Sequence, residues 1–174
     1  MEVLYYEIEK DNFNVLSFFL TERKKVLKER LALRGEKDIK HRLKIYKIEK
    51  AKMYVCEYII INSDMTETLE KIKALVKLAT AEKPLLPARS LDEVNSKRID
   101  KHIKKLEDNK KVKPIKVFLQ DGEVYIVSGV NRYLASLNTN KTISKLFLNE
   151  YKKKINPEYD VNEWYKIVNS YEQP

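Results

Sequence analysis

The sequence predicts an α/β (α+β) fold, in which a small mixed sheet in each half of the chain carries helices packed on it. Short runs rich in Val, Ile, Tyr and Phe, typical of strands, alternate with longer segments whose apolar residues recur at helical spacing. Hydrophobic residues make up 43% of the 174 residues, whereas there are only 3 Gly and 5 Pro, so the chain can bury a sizeable core. We therefore expect one compact body of strands and helices.

The first half, residues 1–83, is predicted to form an α/β lobe. Residues 2–8 have the β-branched and aromatic content of a strand, and Asp11 or Asn12 can cap the helix that follows. Apolar residues then recur near helical spacing up to Gly35, a residue type that often ends helices in the left-handed conformation. We expect one strand and one long helix before Gly35.

The rest of this lobe is predicted to contain a hairpin and a second helix. Residues 43–48 and 53–61 are rich in Tyr, Val and Ile and are separated by a short polar stretch, which indicates two paired strands. Ser63 or Asp64 can cap a helix that continues to about Ala81, because apolar residues form one stripe along it.

Pro84 and Pro87 interrupt the helical pattern and mark the predicted boundary with a second domain, residues 84–150. In this domain we expect a helix over residues 95–109 with an apolar stripe and a basic exposed side. Two strands should follow it, joined by the Asp-Gly turn at residues 121–122, which is a strong hairpin signal.

A third strand, residues 143–148, is expected to close this domain, and a helical tail, residues 151–174, follows it. Asp160 or Asn162 can cap the last helix. We expect Trp164 to pack this helix onto the body of the protein rather than to stack on a nucleic-acid base.

The chain is basic, with a formal charge of +9 and a pI near 9.4. Residues 21–52 hold 13 Lys and Arg against 5 Asp and Glu, and residues 97–116 hold 9 against 3. Such blocks favour a phosphate-bearing partner, although a lysine-rich surface without that role is the alternative. The predicted nucleic-acid contacts are Arg23, Lys24, Lys25, Lys101, Lys104 and Lys105.

The single cysteine and the first residues of the chain indicate the cellular compartment in which the protein is expected. Cys56, the only cysteine, excludes an intrachain disulfide and is expected to be a small buried residue in a strand. The first residues carry neither the basic nor the apolar region of a secretion signal, and no apolar run approaches the length of a membrane span. We expect a cytoplasmic protein with no membrane partner.

Residues 128–132 are the strongest candidate for a ligand site. An apolar strand ends here and a helix begins at once, so unpaired backbone amides and the positive end of the helix dipole are available. Gly129 removes the Cβ that would keep a ligand from the backbone, and Arg132 adds a two-pronged donor for phosphate oxygens. Ser128 and Asn131 can add hydrogen bonds. The alternative is a simple tight turn with Arg132 paired to a surface carboxylate.

Three motifs occur in this region in a fixed order: KPIKV at residues 113–117, DGEVYIV at residues 121–127 and SGVNRYLAS at residues 128–136. They resemble the P-I-x-V strand, the Y-x-I-x-x-G strand and the G-x-x-R-x-x-A turn-helix of the ParB/sulfiredoxin superfamily. A helix like the one predicted at residues 95–109 precedes them in that family. The similarity extends over residues 84–148.

In that family the Gly-x-x-Arg turn binds nucleotide phosphates, those of CTP in ParB proteins and of ATP in sulfiredoxins. The resemblance implies a phosphate loop for a nucleoside di- or triphosphate, with or without Mg²⁺, formed by Gly129, Val130, Asn131 and Arg132. Val130 stands where sulfiredoxins carry their catalytic cysteine, so reductase activity is not expected. Only 26 residues follow Leu148, so the helix-turn-helix domain of ParB proteins is not expected either.

The sequence leaves open whether any reaction is catalysed. Phosphotransferase, NTPase or nuclease chemistry requires a carboxylate that activates a hydroxyl or water. Asp92, Glu93 and Asp100 are the nearest candidates, but each is better explained as a cap or solvated charge. His102 is expected to be exposed on a lysine-rich helix, and His41 is assigned no role.

Two hypotheses follow. The first is a nucleotide-binding protein of the ParB/sulfiredoxin type with a DNA-related, plasmid or phage function, in which the first half is a partner or substrate lobe. The second is a non-enzymatic factor on a degenerate scaffold, whose basic blocks bind DNA or whose tyrosine-rich amino-terminal lobe binds a protein partner. The first predicts nucleotide binding that Arg132→Ala abolishes, and the second predicts DNA affinity that falls steeply with salt.

Overall fold

The strands of the described chain form one mixed sheet. The computed structural model describes residues 16–81, 83–153, 155 and 157–172. All neighbouring strands in the sheet are parallel except β4 and β5, and the order is β1-β2-β6-β4-β5-β3. The strands are β1 (Phe18–Thr21), β2 (Tyr58–Ile61), β3 (Leu86–Pro87), β4 (Ile115–Gln120), β5 (Glu123–Ser128) and β6 (Lys145–Phe147).

Helices connect these strands, and single turns of 3-10 helix lie at Met53–Val55 and Leu91–Glu93. The predicted α/β fold class is therefore confirmed. None of the helices in the described ranges is both long and apolar enough to cross a membrane. The α-helices are α1 (Lys24–Leu33), α2 (Ile39–Ala51), α3 (Met65–Thr80), α4 (Ser96–Glu107), α5 (Val130–Thr139) and α6 (Val161–Tyr171).

The second half of the chain has the elements that the sequence predicts. The turn between β4 and β5 places Asp121 at φ 52° and Gly122 at φ 78°, the two positive values that a two-residue hairpin loop needs. The Asn95 side chain caps α4 by accepting a hydrogen bond of 3.1 Å from the Arg98 amide. The turn and the cap each depend on residues only a few positions apart, so they can be predicted from the sequence.

The last helix packs into the core through Trp164. This side chain is fully buried, its ring lies 6.3 Å from that of Tyr133, and its Nε1 donates to the Leu85 carbonyl at 3.0 Å. Asp160 caps the helix by accepting from the Asn162 amide at 2.9 Å. The predictions that Asp160 caps this helix and that Trp164 packs it onto the body are confirmed.

The prediction of one long helix that ends at Gly35 is wrong for the first part of that segment. Residues Phe18–Thr21 form β1, which pairs in parallel with β2, and only α1 is helical. Phe18, Phe19 and Leu20 form a short continuous apolar run, which periodicity alone cannot assign to a helix or a strand, and strand pairing decides between them. Gly35 does follow the helix in a left-handed conformation, with φ 70°. The strand predicted at residues 2–8 lies outside the described residues.

The predicted hairpin at residues 43–48 and 53–61 is also wrong. The first segment lies within α2, which Asp38 caps by accepting from the His41 amide at 2.9 Å, and only the end of the second forms β2. Because β1 and β2 are parallel, the chain between them needs a crossover rather than a tight turn. Cys56 is half-buried and lies outside the strands, next to a 3-10 turn.

The sheet contains strands from both sides of the boundary predicted at residues 82–89. β2, from the first half, pairs with β6, from the second half, through Tyr58 and Ile59. One sheet thus replaces the two small sheets that the sequence suggests. α3, capped as predicted by Asp64, links β2 to β3 at the other edge of the sheet.

Candidate functional site

The turn from β5 into α5 leaves backbone amides without partners. Gly129 is the N-cap residue, at φ 108° and ψ 26°, and no side chain caps the helix. The Gly129 carbonyl accepts from the amides of Arg132 and Tyr133, each at 2.9 Å. The amides of Val130 and Asn131 have no acceptor in the described part of the chain. The predicted anion-binding geometry, free amides at a helix start, is present.

The Arg132 side chain folds back over Gly129. A Cβ built on Gly129 would lie 2.5 Å from Arg132 Nη2 and 2.8 Å from Nε. The space that the sequence seemed to leave for a ligand is therefore filled by the guanidinium itself. The missing side chain of Gly129 leaves the room that the guanidinium occupies beside the turn.

The Arg132 guanidinium has no carboxylate partner among the described residues. Its shortest contact within the described ranges is a weak 3.5 Å hydrogen bond from Nη2 to the Ser128 carbonyl. Burial lowers the pKa of Arg132, although an arginine keeps its charge in proteins. The alternative in which Arg132 pairs with a surface carboxylate is thus wrong for the described residues.

Asn131 and Val130 hold the loop in place. The Asn131 Oδ1 accepts from the Asn95 amide at 2.8 Å, and its Nδ2 donates to the Glu93 carbonyl at 2.9 Å. Val130 is buried in the core, and the exposed Ser128 hydroxyl has no partner among the described residues. Asn131 therefore joins the start of α5 to the start of α4, so two positive helix ends lie close together.

His102 is half-buried, and the expectation of an exposed histidine is wrong. Its Nδ1 is inaccessible and has no hydrogen-bond partner among the described residues. Burial, followed by the charges of Arg132, Lys105 and Lys101, lowers the pKa of the His102 imidazole. His102 lies three residues after Ile99 on the apolar stripe of α4, a signal that the sequence contained.

The carboxylates near the loop are occupied by other contacts or exposed. Asp92 accepts from the Ser90 hydroxyl at 2.8 Å, Glu93 pairs with Arg89 at 3.5 Å, and Asp100 is exposed on α4. Among the described residues, no group of three or more His, Cys, Asp or Glu side chains could hold a metal ion.

The two predicted basic groups lie on different helices. Arg23, Lys24 and Lys25 are exposed at the start of α1, which follows the edge strand β1. On α4, Lys101 and Lys104 are exposed and Lys105 is half-buried, and this helix packs against α5.

The loop is partly buried: Ser128 is exposed, Gly129, Asn131 and Arg132 are half-buried, and Val130 is buried. Cavities of about 520, 410 and 190 Å³ are lined by other parts of the chain, and residues 128–132 line none of them. The largest lies between α3 and the β4–β5 hairpin. An anion at the start of α5 would thus remain partly in contact with water.

The loop geometry and the sequence motifs are independent observations. Among the described residues, the loop has two amides without acceptors and a guanidinium without a carboxylate partner. The similarity to the ParB/sulfiredoxin superfamily stays a prediction from three short motifs. No protein-family model, curated protein or solved structure matches this chain.

Proposed function

We propose that the start of α5 binds the phosphate groups of a nucleotide. The observation that carries this proposal is an uncapped helix end beside a guanidinium that has no carboxylate partner in the described residues. The free amides of Val130 and Asn131 supply two donors, and Arg132 supplies charge and further donors. Phosphate oxygens match this set better than a neutral ligand does.

The surrounding charges favour the same class of ligand. Arg132 lies close enough to His102 for its charge to lower the pKa of the imidazole, and Lys101 and Lys105 act on His102 in the same direction. Like charges held together destabilise one another, and a bound anion relieves that repulsion. The second helix end, at Asn95, adds to the positive potential.

The resemblance to ParB/sulfiredoxin proteins narrows the ligand to a nucleoside di- or triphosphate. In that family the same Gly-x-x-Arg turn contacts the phosphates, and Gly129 and Arg132 match its first and last positions. Mg²⁺, if required, would be carried mainly by the phosphate oxygens. The proposal concerns binding and a cytoplasmic protein, and it assigns no reaction.

A thermal-shift screen tests this proposal. ATP, ADP, CTP and GTP, each with and without Mg²⁺, are added to the wild type, and a ligand that binds the native state raises the melting temperature. Arg132→Ala should weaken binding by roughly ten- to a hundredfold, the loss of one charged hydrogen-bonding group. Arg34→Ala, an exposed arginine next to α1, is the matched control and should bind as the wild type does.

Two results would count against the proposal. One is that none of the four nucleotides produces a saturable shift. The other is that Arg132→Ala and Arg34→Ala bind equally well, which would mean that the general positive charge of the chain, and not the loop, attracts nucleotides.

A second candidate function is contact with a nucleic-acid backbone through α1 and α2. Neither helix contains a buried residue, and both are rich in Lys and Arg, so the pair offers a large basic surface. This hypothesis predicts affinity for duplex DNA that falls steeply with salt and drops when Arg23, Lys24 and Lys25 are changed together to Gln. DNA binding that survives the triple change would exclude these three contacts.

A further inference from the structure

A buried polar network lies at the carboxyl ends of the parallel strands, away from the phosphate loop. Among the described residues, four of the five buried polar or charged side chains lie there, at the end of β1 or on α3. In open sheets of this kind, ligands commonly bind beyond the carboxyl ends of the strands. The four are Thr21, Glu22, Thr68 and Lys71.

Lys71 is the unusual member of this network. Its side chain is only 3% exposed, and its ammonium donates to Glu67 Oε1 at 2.9 Å and to Asn149 Oδ1 at 3.1 Å. An ammonium has three donors, and the third has no acceptor in the described part of the chain. Leaving one donor of a buried ammonium unfilled is costly, so this N–H can donate to an oxygen of a ligand or of water.

The Lys71 ammonium is held in a fixed position. Asn149 donates through Nδ2 to the Ser63 hydroxyl at 2.6 Å, which turns its Oδ1 toward Lys71. Ser63 in turn provides a carbonyl that accepts from Arg30 at 2.7 Å. Side chains with locked partners lose little entropy on binding, as expected of a preformed site.

Lys71 lines the cavity of about 520 Å³ between α3 and the β4–β5 hairpin. This volume is in the range typical of small-molecule sites. The lining combines three lysines with three carboxylates and has an apolar portion, Ala74, Phe118 and Leu119. The charged residues are Lys71, Lys73, Lys77, Glu67, Glu70 and Asp121.

We propose that this cavity binds a small zwitterion, such as a free amino acid. The ligand carboxylate accepts from Lys71, the ligand ammonium lies near Glu70 and Asp121, and an apolar side chain rests on Phe118. The three carboxylates of the lining repel a phosphate dianion, and the three lysines repel a simple amine. A ligand that carries both charges is attracted by both sets.

This site is separate from the phosphate loop. Gly122, which lines the cavity, and Gly129, which starts α5, lie at opposite ends of β5 and seven residues apart. At about 3.4 Å per residue the two are roughly 24 Å from each other. The inference therefore stands independently of nucleotide binding, and Arg132→Ala should leave it unchanged.

Calorimetric titration of the wild type with each of the twenty amino acids tests the proposal, with propionate and propylamine as singly charged probes. An amino acid with an apolar side chain should bind saturably and at least about tenfold tighter than either probe. Lys71→Met should reduce that affinity by a similar factor. Lys166→Met, at an exposed position of α6, is the matched control and should bind normally.

Glu70→Gln provides a second variant, expected to leave the fold intact because Glu70 is exposed and surface substitutions usually cost little stability. It should weaken amino-acid binding and leave propionate binding unchanged. Failure of all twenty amino acids to bind overturns the proposal. The proposal is also overturned if propionate binds as tightly as the best amino acid. It is overturned as well if the affinity for amino acids is unchanged in both Lys71→Met and Glu70→Gln.

Discussion

The contact between Gly129 and Arg132 gives the sharpest prediction. In Gly129→Ala the new Cβ would lie 2.5 Å from Arg132 Nη2 and 3.0 Å from Cζ, distances that force the guanidinium away. The backbone at φ 108° also suits glycine alone. We expect a loss of about 1–3 kcal/mol in the free energy of unfolding from the backbone strain.

Gly35→Ala separates the backbone effect from the contact. Gly35 also has a positive φ, 70°, but a Cβ there meets nothing within 4 Å. Its expected cost is about 1–2 kcal/mol, the usual penalty of a left-handed residue. With a urea m-value of about 2 kcal/mol/M, each kcal/mol lowers the unfolding midpoint by about 0.5 M, which circular dichroism resolves.

The decisive difference between these variants is in anion binding. Gly129→Ala should bind nucleotide roughly ten- to a hundredfold more weakly, because the guanidinium is displaced from its place beside Gly129. Gly35→Ala should bind as the wild type does. If Gly129→Ala is no less stable than Gly35→Ala and binds nucleotide with wild-type affinity, the assignment of Arg132 to the site is refuted.

Three further predictions concern the supports of the site. Trp164→Ala should lower the free energy of unfolding in urea by about 3–5 kcal/mol, because it empties a fully buried position and removes the hydrogen-bond donor of the Leu85 carbonyl. A loss below about 1 kcal/mol would contradict this packing. Asn131→Ala should cost about 1–3 kcal/mol by leaving two backbone groups near α4 unpaired, and equal stability would contradict their role. The pKa of His102 is lowered from 6.5 in the folded state, so protonation of the imidazole favours the unfolded state. The contribution of His102 to the free energy of unfolding is therefore complete above pH 6.5 and is lost as the pH falls through its folded-state pKa. His102→Asn should flatten that part of the stability curve against pH, and an unchanged curve would exclude the histidine as its cause.

The second half of the fold was predictable because its signals are local. The Asp121-Gly122 turn, the Asn95 cap and the Gly129 break each act within a few residues of the element they define. The first half of the fold was not predictable from the sequence, because segments in which Leu and Ile alternate with Lys fit both a helix and a strand. The parallel pairing of β1 with β2, which decides between them, joins residues about forty positions apart.

The free amides at the start of α5 were predictable from the sequence, but the contacts around them were not. A strand ending in glycine before a helix identified Gly129 and Arg132, and free amides are found there. That Arg132 fills the space beside Gly129, and that Asn131 binds the backbone near α4, depends on tertiary contacts. The Lys71 network was missed for the same reason, since Asn149 is 78 residues away from it.

An amide-resolved NMR titration with nucleotide tests the central claim most directly. The chain has only 3 Gly, so the Gly129 amide is readily assigned, and Val130 and Asn131 follow it in sequence. We predict saturable shifts at these amides and at Arg132 Nε–H, with none at Gly35. Nucleotide binding that moves other amides and leaves residues 129–132 unperturbed would contradict the phosphate-loop assignment.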